Sequence, residues 1–135
     1  MSDDPDLKQI TAQARSTSVR AEVRYLQIPA AEVSASAQFY ERAFGWASRG
    51  RGDGSTAFDD TTEHVSGEFV LDRRAAGDAG VLVYVRVDDV ETSLQSVVEA
   101  GGEVVVPRTA QGEDIAYATF RDPAGNVLGI FQEGR

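Results

Sequence analysis

Cysteine is absent from the 135-residue chain, which excludes disulfides and thiolate metal sites. Histidine occurs once, as His64. One imidazole cannot make a facial triad of metal ligands, and no Ser-His-Asp set can be defended around it. Long apolar runs are missing too, and none approaches the roughly 20 residues that span a bilayer. Basic residues are few: 13 Lys and Arg stand against 22 Asp and Glu, a net charge of −9, with an isoelectric point near 4.5. Binding to nucleic acid needs a basic face that replaces phosphate counterions, so that class is excluded, and anionic membrane surfaces are disfavoured. The first residues, MSDDPDLKQITAQARSTSV, have neither the basic start nor the apolar stretch of a secretory signal. A cytoplasmic protein is expected. The same stretch is polar and without period, so residues 1–19 are expected to form a flexible tail. The glycines of GRGDG at 50–54 follow no helix-entry pattern and do not make a phosphate cradle.

What is present suffices for a core: 41% apolar residues, with six Phe, four Tyr and one Trp. The length fits one compact domain, or two small fused modules sharing a core. The second option is favoured by an internal repeat. Residues 25–46 lie over residues 82–103 at a constant offset. The pairs Val33/Val90, Ser36/Ser93, Gln38/Gln95 and Gly45/Gly102 are identical, and Leu26/Val83, Ile28/Val85 and Glu32/Asp89 agree in type. Each copy reads as an apolar strand, an acidic turn, an amphipathic helix and a glycine stop. A repeat fixes architecture before any residue receives a role.

Alternation over residues 20–28 predicts a strand with Tyr25 and Gln27 on one face and Leu26 and Ile28 on the other. Val33, Ala37, Tyr40 and Phe44 form one stripe of a helix over about 33–44, stopped by Gly45. Strands are expected at 46–51, 56–59 and 67–73, with 74–80 linking the copies. In the second copy, residues 81–87 place Val83, Val85 and Val87 opposite Leu82, Tyr84 and Arg86. Asp88 or Asp89 caps the next helix, with Glu91 three residues after Asp88 as in a capping box. Val90, Leu94, Val97 and Val98 are its buried stripe, and Gly101-Gly102 ends it. Residues 103–106, 115–121 and 127–132 are the last strands. Asp122-Pro123-Ala124-Gly125 joins the final pair with the preferences of a type I turn.

Ile28-Pro29, Phe39-Tyr40-Glu41 with Phe44-Gly45-Trp46, Val85-Arg86-Val87-Asp88-Asp89-Val90, Ala100-Gly101-Gly102 and Phe120-Arg121-Asp122-Pro123-Ala124-Gly125-Asn126-Val127-Leu128-Gly129 occur in this order. Together with the repeat they resemble the vicinal oxygen chelate superfamily of glyoxalases, bleomycin-resistance proteins and extradiol dioxygenases, over about residues 22–132. The resemblance implies an α+β fold: two tandem βαβββ modules, at about 20–73 and 81–132 of a domain spanning 20–135, forming a curved, cup-like mixed sheet with helices outside. Many enzymes of that superfamily hold one divalent metal in the cup, on the first and last strands of each module. Carried onto this chain, those positions are Tyr25, Leu82, Gly129 and either Val70 or Glu68. Leu and Gly have no donor side chain and neutral Tyr is a poor ligand, so at most one position ligates well. No metal or other cofactor is therefore expected; a divalent metal held by other residues is the alternative.

The polar side chains expected to face the cup are Tyr25, Gln27, Tyr84 and Arg86, with Tyr117 and Thr119 completing the wall. They either bind an oxygenated or aromatic ligand or serve as core-edge aromatics and, for Arg86, a strand-end group in solvent. Glu68, and with it Tyr25, is the candidate for acid/base chemistry. Trp46 is expected to plug the core, and His64 to sit in a surface loop. Asp59, Asp60 and Glu63 form an acidic loop that is expected to be solvated, or else to grip a cationic ligand. The expected function is binding of a small organic molecule in the cup. The alternative is a glyoxalase-like lyase, isomerase or dioxygenase working by acid/base residues or an atypical metal site. The resemblance also implies a homodimer.

Overall fold

The computed structural model describes residues 21–52, 54–62, 64–77 and 79–134; the tail expected over 1–19 lies outside them. Along the chain run β1 (Tyr25–Pro29), α1 (Val33–Phe44), β2 (Ala47–Gly50), β3 (Thr56–Asp59), β4 (Ser66–Val70), β5 (Tyr84–Arg86), α2 (Val90–Glu99), β6 (Glu103–Gln111), β7 (Ile115–Arg121) and β8 (Val127–Glu133). They form two four-stranded sheets, ordered β1-β4-β3-β2 and β5-β8-β7-β6. In each sheet the first and last strands of the module pair parallel and the rest pair antiparallel. A parallel pair needs a long crossover, which the helix and two intervening strands supply. The α+β fold of two βαβββ modules expected from the repeat is thus present.

The helices follow their sequence signals except at Val98, expected in the buried stripe of α2 but 54% exposed. Tyr40 of the α1 stripe is buried and Val33, Ala37 and Phe44 pack against the core. Phe39 is buried beside them at 1% exposure, which widens the stripe. Gly45 adopts the left-handed conformation (φ 76°) that ends the helix, and its N–H reaches the Glu41 carbonyl at 2.8 Å. At α2 the cap is Asp89. Its carboxylate accepts the Thr92 N–H at 2.8 Å, and that backbone bond holds the Asp89 carboxyl below its ordinary range. Thr92, not Glu91, occupies the third helical position, so no capping box forms.

Four strands differ from expectation. β4 stops at Val70, short of the expected 73, because its parallel partner β1 ends at Pro29. β5 is only three residues long, because it pairs on one side alone and only with Gly129–Phe131; Val81 stands 88% exposed ahead of it. β1 begins at Tyr25, where its pairing with Ser66 begins. β6 runs on to Gln111 through Pro107. Proline cannot donate to a ladder, and it is tolerated here because β6 is an edge strand whose register shifts between Val104 and Val106 and again before Thr109.

One core serves both modules. Trp46 is stacked between Tyr40 (4.9 Å between centroids) and Phe58 (5.1 Å), as a core plug. Phe120 of β7 meets Phe39 at 5.9 Å and Phe44 at 5.5 Å, so an aromatic side chain of module two is packed on the helix of module one. Each such side chain, fully buried, contributes about 1.5–3 kcal/mol.

A buried polar knot adds direction to this packing. The Asp122 and Asn126 side chains are 3% and 1% exposed. Tyr40 donates its hydroxyl proton to Asp122 Oδ2 at 2.8 Å. Asn126 Nδ2 donates to the Pro29 carbonyl (2.7 Å) and to Asp122 Oδ2 (2.8 Å), and Asn126 Oδ1 accepts the Ala76 N–H (2.8 Å). Asp122 Oδ1 accepts the N–H groups of Ala124 and Asn126, both at 2.9 Å. The end of β1, helix α1, the linker and the β7–β8 turn are therefore tied at one point. Among the described residues no buried side-chain polar atom lacks a partner.

Burial, and then the neighbouring Asp122 carboxylate, push the Tyr40 phenol well above its ordinary value. Folding therefore favours the neutral phenol, and this stabilisation is fully present below about pH 10, the unfolded value. It is lost as pH rises toward the folded value. Urea denaturation should lose more stability between pH 8 and 11 in the wild type than in Tyr40→Phe; equal losses would remove Tyr40 as the cause. At pH 8 Asn126→Asp should cost about 3 kcal/mol or more, because it turns an oxygen toward the Pro29 carbonyl and Asp122. A cost under about 1 kcal/mol would mean that the knot is dispensable.

Candidate functional site

Each sheet uses one face for the core and leaves the other uncovered. On module one the register aligns Gln27, Glu68, Ala57 and Arg49 across β1, β4, β3 and β2, with Tyr25, Ser66, Asp59 and Ala47 in the next row. Leu26, Ile28 and Phe69 point the other way, into the core. On module two the row corresponding to Gln27 is Tyr84, Gly129, Thr119 and Val106, and the row on its other side is Arg86, Phe131, Tyr117 and Thr109.

Module one gathers its expected residues into a polar chain. Arg73 donates to Gln27 Oε1 at 2.6 Å, and Gln27 Nε2 donates to Glu68 Oε2 at 2.7 Å. Arg51 donates to Glu68 Oε1 at 3.3 Å and to the Tyr25 hydroxyl at 2.7 Å, with its guanidinium 6.0 Å from the Tyr25 ring centre. Beside this chain Asp59 accepts from Ser66 (2.6 Å) and from Arg49 (2.6 Å); these two donors, Ser66 first, lower its pKa. The structure thus brings Tyr25, Gln27 and Glu68 together on one face. Arg51 and Arg73 are additions: they lie in the loops after β2 and β4, and only the alternation of Arg49 with Arg51 hinted at a shared face.

Module two presents a more aromatic wall. The Tyr84 ring lies over Gly129 so closely that a Cβ there would fall 2.4 Å from it. Thr119 is 7% exposed and Tyr84 42%, while Tyr117 is half-buried. Arg86 is exposed and paired with Glu133 at 3.1 Å. Within one chain the two walls stay apart. A groove of about 970 Å³ between the modules is lined by Leu26, Phe44, Trp46, Val83, Tyr84 and Arg86 among others. A pocket of about 90 Å³ lies against Asn126 and Gln27. Neither unites Tyr25 and Glu68 with Tyr117 and Thr119. His64 is exposed in the loop before β4, where its carbonyl accepts from Arg24 at 2.9 Å. Asp60 holds that loop by accepting from the Thr62 hydroxyl at 2.8 Å; Glu63 lies outside the described residues.

The family model of the Glyoxalase/Bleomycin resistance protein/Dioxygenase superfamily matches residues 22–130. The chain belongs to that superfamily. A glyoxylase-like domain-containing protein of Didymella fabae is 24% identical over 120 residues, 83% of this chain and 94% of that one. Among solved structures, a glyoxalase/bleomycin resistance protein/dioxygenase family enzyme from Burkholderia phytofirmans PsJN matches with a TM-score of 0.70 at 18% identity, over 84% of this chain and 99% of that one. TnmS3, an antibiotic binding protein from Streptomyces sp. CB03234, matches with a TM-score of 0.65 at 21% identity, over 86% and 98%.

The residues at the superfamily's metal positions do not fit a divalent ion. Leu82 and Gly129 bring no donor, and the space above Gly129 is filled by the Tyr84 ring. The two positions with oxygens, Tyr25 and Glu68, share the guanidinium of Arg51, a fixed positive charge beside the place a cation would take. Among the described residues no three His, Asp or Glu side chains cluster to hold a metal.

The Tyr84–Gly129 contact is open to a double-mutant cycle. Gly129→Ala should destabilise by about 1–3 kcal/mol in the wild type and by much less in Tyr84→Ala. Equal costs in both backgrounds would mean that the ring does not rest on Gly129.

Proposed function

We propose that this member of the superfamily binds a small organic molecule without a divalent metal. The cup is completed when two copies bring the module-one face of one chain against the module-two face of the other. The observation that carries this reading is the pair of uncovered sheet faces, one a hydrogen-bonded polar chain and one an aromatic wall, that neither of the two pockets described among these residues unites. Tyr25 and Tyr84, 49% and 42% exposed, are amphipathic rings of the kind that line ligand sites and interfaces. A structural relative is an antibiotic binding protein, which supports a binding role. Turnover through Glu68 or Tyr25 is disfavoured by the engagement of both Glu68 oxygens and the Tyr25 hydroxyl by neighbours.

Two measurements test the reading. Light scattering at micromolar concentration should give twice the chain mass, and a persistent monomer would remove the shared cup. Addition of Ni²⁺, Zn²⁺, Fe²⁺ or Mn²⁺ should leave the melting temperature unchanged. A saturating rise with any of them would establish a metal site and make the enzyme reading primary.

A further inference from the structure

Among the described residues, the uncovered face of module one holds more guanidinium groups than carboxylates. Three guanidinium groups converge there, in a chain whose net charge is −9. Arg49 is paired with Asp59 at 2.6 Å and Arg51 with Glu68 at 3.3 Å. Among the described residues Arg73 makes no ion pair; its bond is to the neutral amide oxygen of Gln27, at 2.6 Å. The orientation of that amide is dictated by its neighbours. Arginine only donates and a carboxylate only accepts, so Gln27 must turn Oε1 to Arg73 and Nε2 to Glu68. Gln27 in turn sits on β1, an edge strand of this sheet, opposite Glu68 of β4. The amide therefore holds the arginine arm against the sheet without supplying a counter-charge.

We propose that Arg73 is the anchor for an anionic oxygen group, such as a carboxylate or phosphonate, on the small molecule that this face binds; the inference rests on the binding reading given above. A guanidinium has five N–H donors. With one spent on Gln27, the others can receive two oxygens of an anion in the fork geometry that arginine favours, and no existing bond has to break. Tyr25 lies two residues from Gln27 on the same face, about 7 Å along the strand, and is half exposed. The ligand class that fits both features is a flat apolar body carrying an anionic end. The acidic surface elsewhere repels such molecules at long range, so their selection depends on this short-range contact.

Matched pairs of probes separate charge from shape: 2-naphthoate with 2-naphthamide, and indole-3-acetate with indole-3-acetamide. Each is titrated into the full chain, with amide chemical shifts of β1 and β4 as the readout. The variants are Arg73→Gln and, as a control for surface charge, Arg74→Gln. The expected result is that the acids bind about fivefold more tightly than the amides, the scale of a solvent-exposed ion pair. Arg73→Gln should abolish that preference and Arg74→Gln should retain it, with unchanged melting temperatures in both. Equal affinity for acid and amide in the wild type would overturn the anion assignment and leave the binding reading standing. A preference that survives Arg73→Gln would place the anchor elsewhere and overturn the role of Arg73. Absence of any shift on this face with all four probes would count against both.

Discussion

Everything that faces solvent usefully in this protein depends on the buried contact between Asn126, Asp122 and Tyr40. A repeat of two small modules has two natural weaknesses: neither unit buries much surface alone, and apolar packing between them is not directional. The knot answers the second. Asn126 binds the end of β1 through the Pro29 carbonyl and the linker through Ala76, while Asp122 receives the hydroxyl of Tyr40 from α1. Buried polar groups are costly unless all are satisfied, and among the described residues every buried side-chain polar atom is. The observed placement of the modules meets that condition, and the aromatic packing of Phe120 on Phe39 and Phe44 is compatible with it.

Because the helix-bearing faces are consumed by this shared core, the opposite faces of both sheets are left for other work. Their chemistry has diverged although their backbones are equivalent. By register, Gln27 and Glu68 of module one correspond to Tyr84 and Gly129 of module two. A hydrogen-bonded amide and carboxylate on one side thus become a ring laid over a bare backbone on the other. The glycine is what permits the ring to lie flat; any side chain at 129 would lift it. Duplication supplied the frame, and the residues on the uncovered faces differentiate its two halves.

The frame was legible in the sequence because it is written in periodicities. The stripe Val33, Ala37, Tyr40 and Phe44, the stop at Gly45 and the cap before Val90 are local signals with local causes. So are the strands at 56–59 and 115–121, and their limits agree with the structure. The parts that were not legible are set by partners distant in the chain. β5 shrinks to three residues because only three find a ladder, and β6 passes through Pro107 because an edge with shifted register tolerates it. Asn126 reads as one more polar turn residue, since nothing local tells that its side chain reaches residues 29 and 76. On the site, the faces of Tyr25, Gln27, Tyr84, Tyr117 and Thr119 followed from alternation. Arg51 and Arg73 did not, since both lie in loops where no period constrains direction.

The same comparison bears on how a fold can keep a site while changing its chemistry. A cation site needs several donors aimed at one point and a local field that favours positive charge. Here one pair of positions has lost its donors, and the other pair is bridged by a guanidinium. These changes reinforce one another. With Leu82 and Gly129 unable to ligate, Tyr25 and Glu68 alone would hold an ion weakly, and Glu68 would be left as an uncompensated carboxylate on a half-buried face. Arg51 supplies the missing positive charge in a form that cannot dissociate, and in doing so fixes Tyr25 as well. Gln27 then links this pair to Arg73. A face built for a metal would collect electron-pair donors toward its centre; this one distributes fixed charge along a chain of hydrogen bonds.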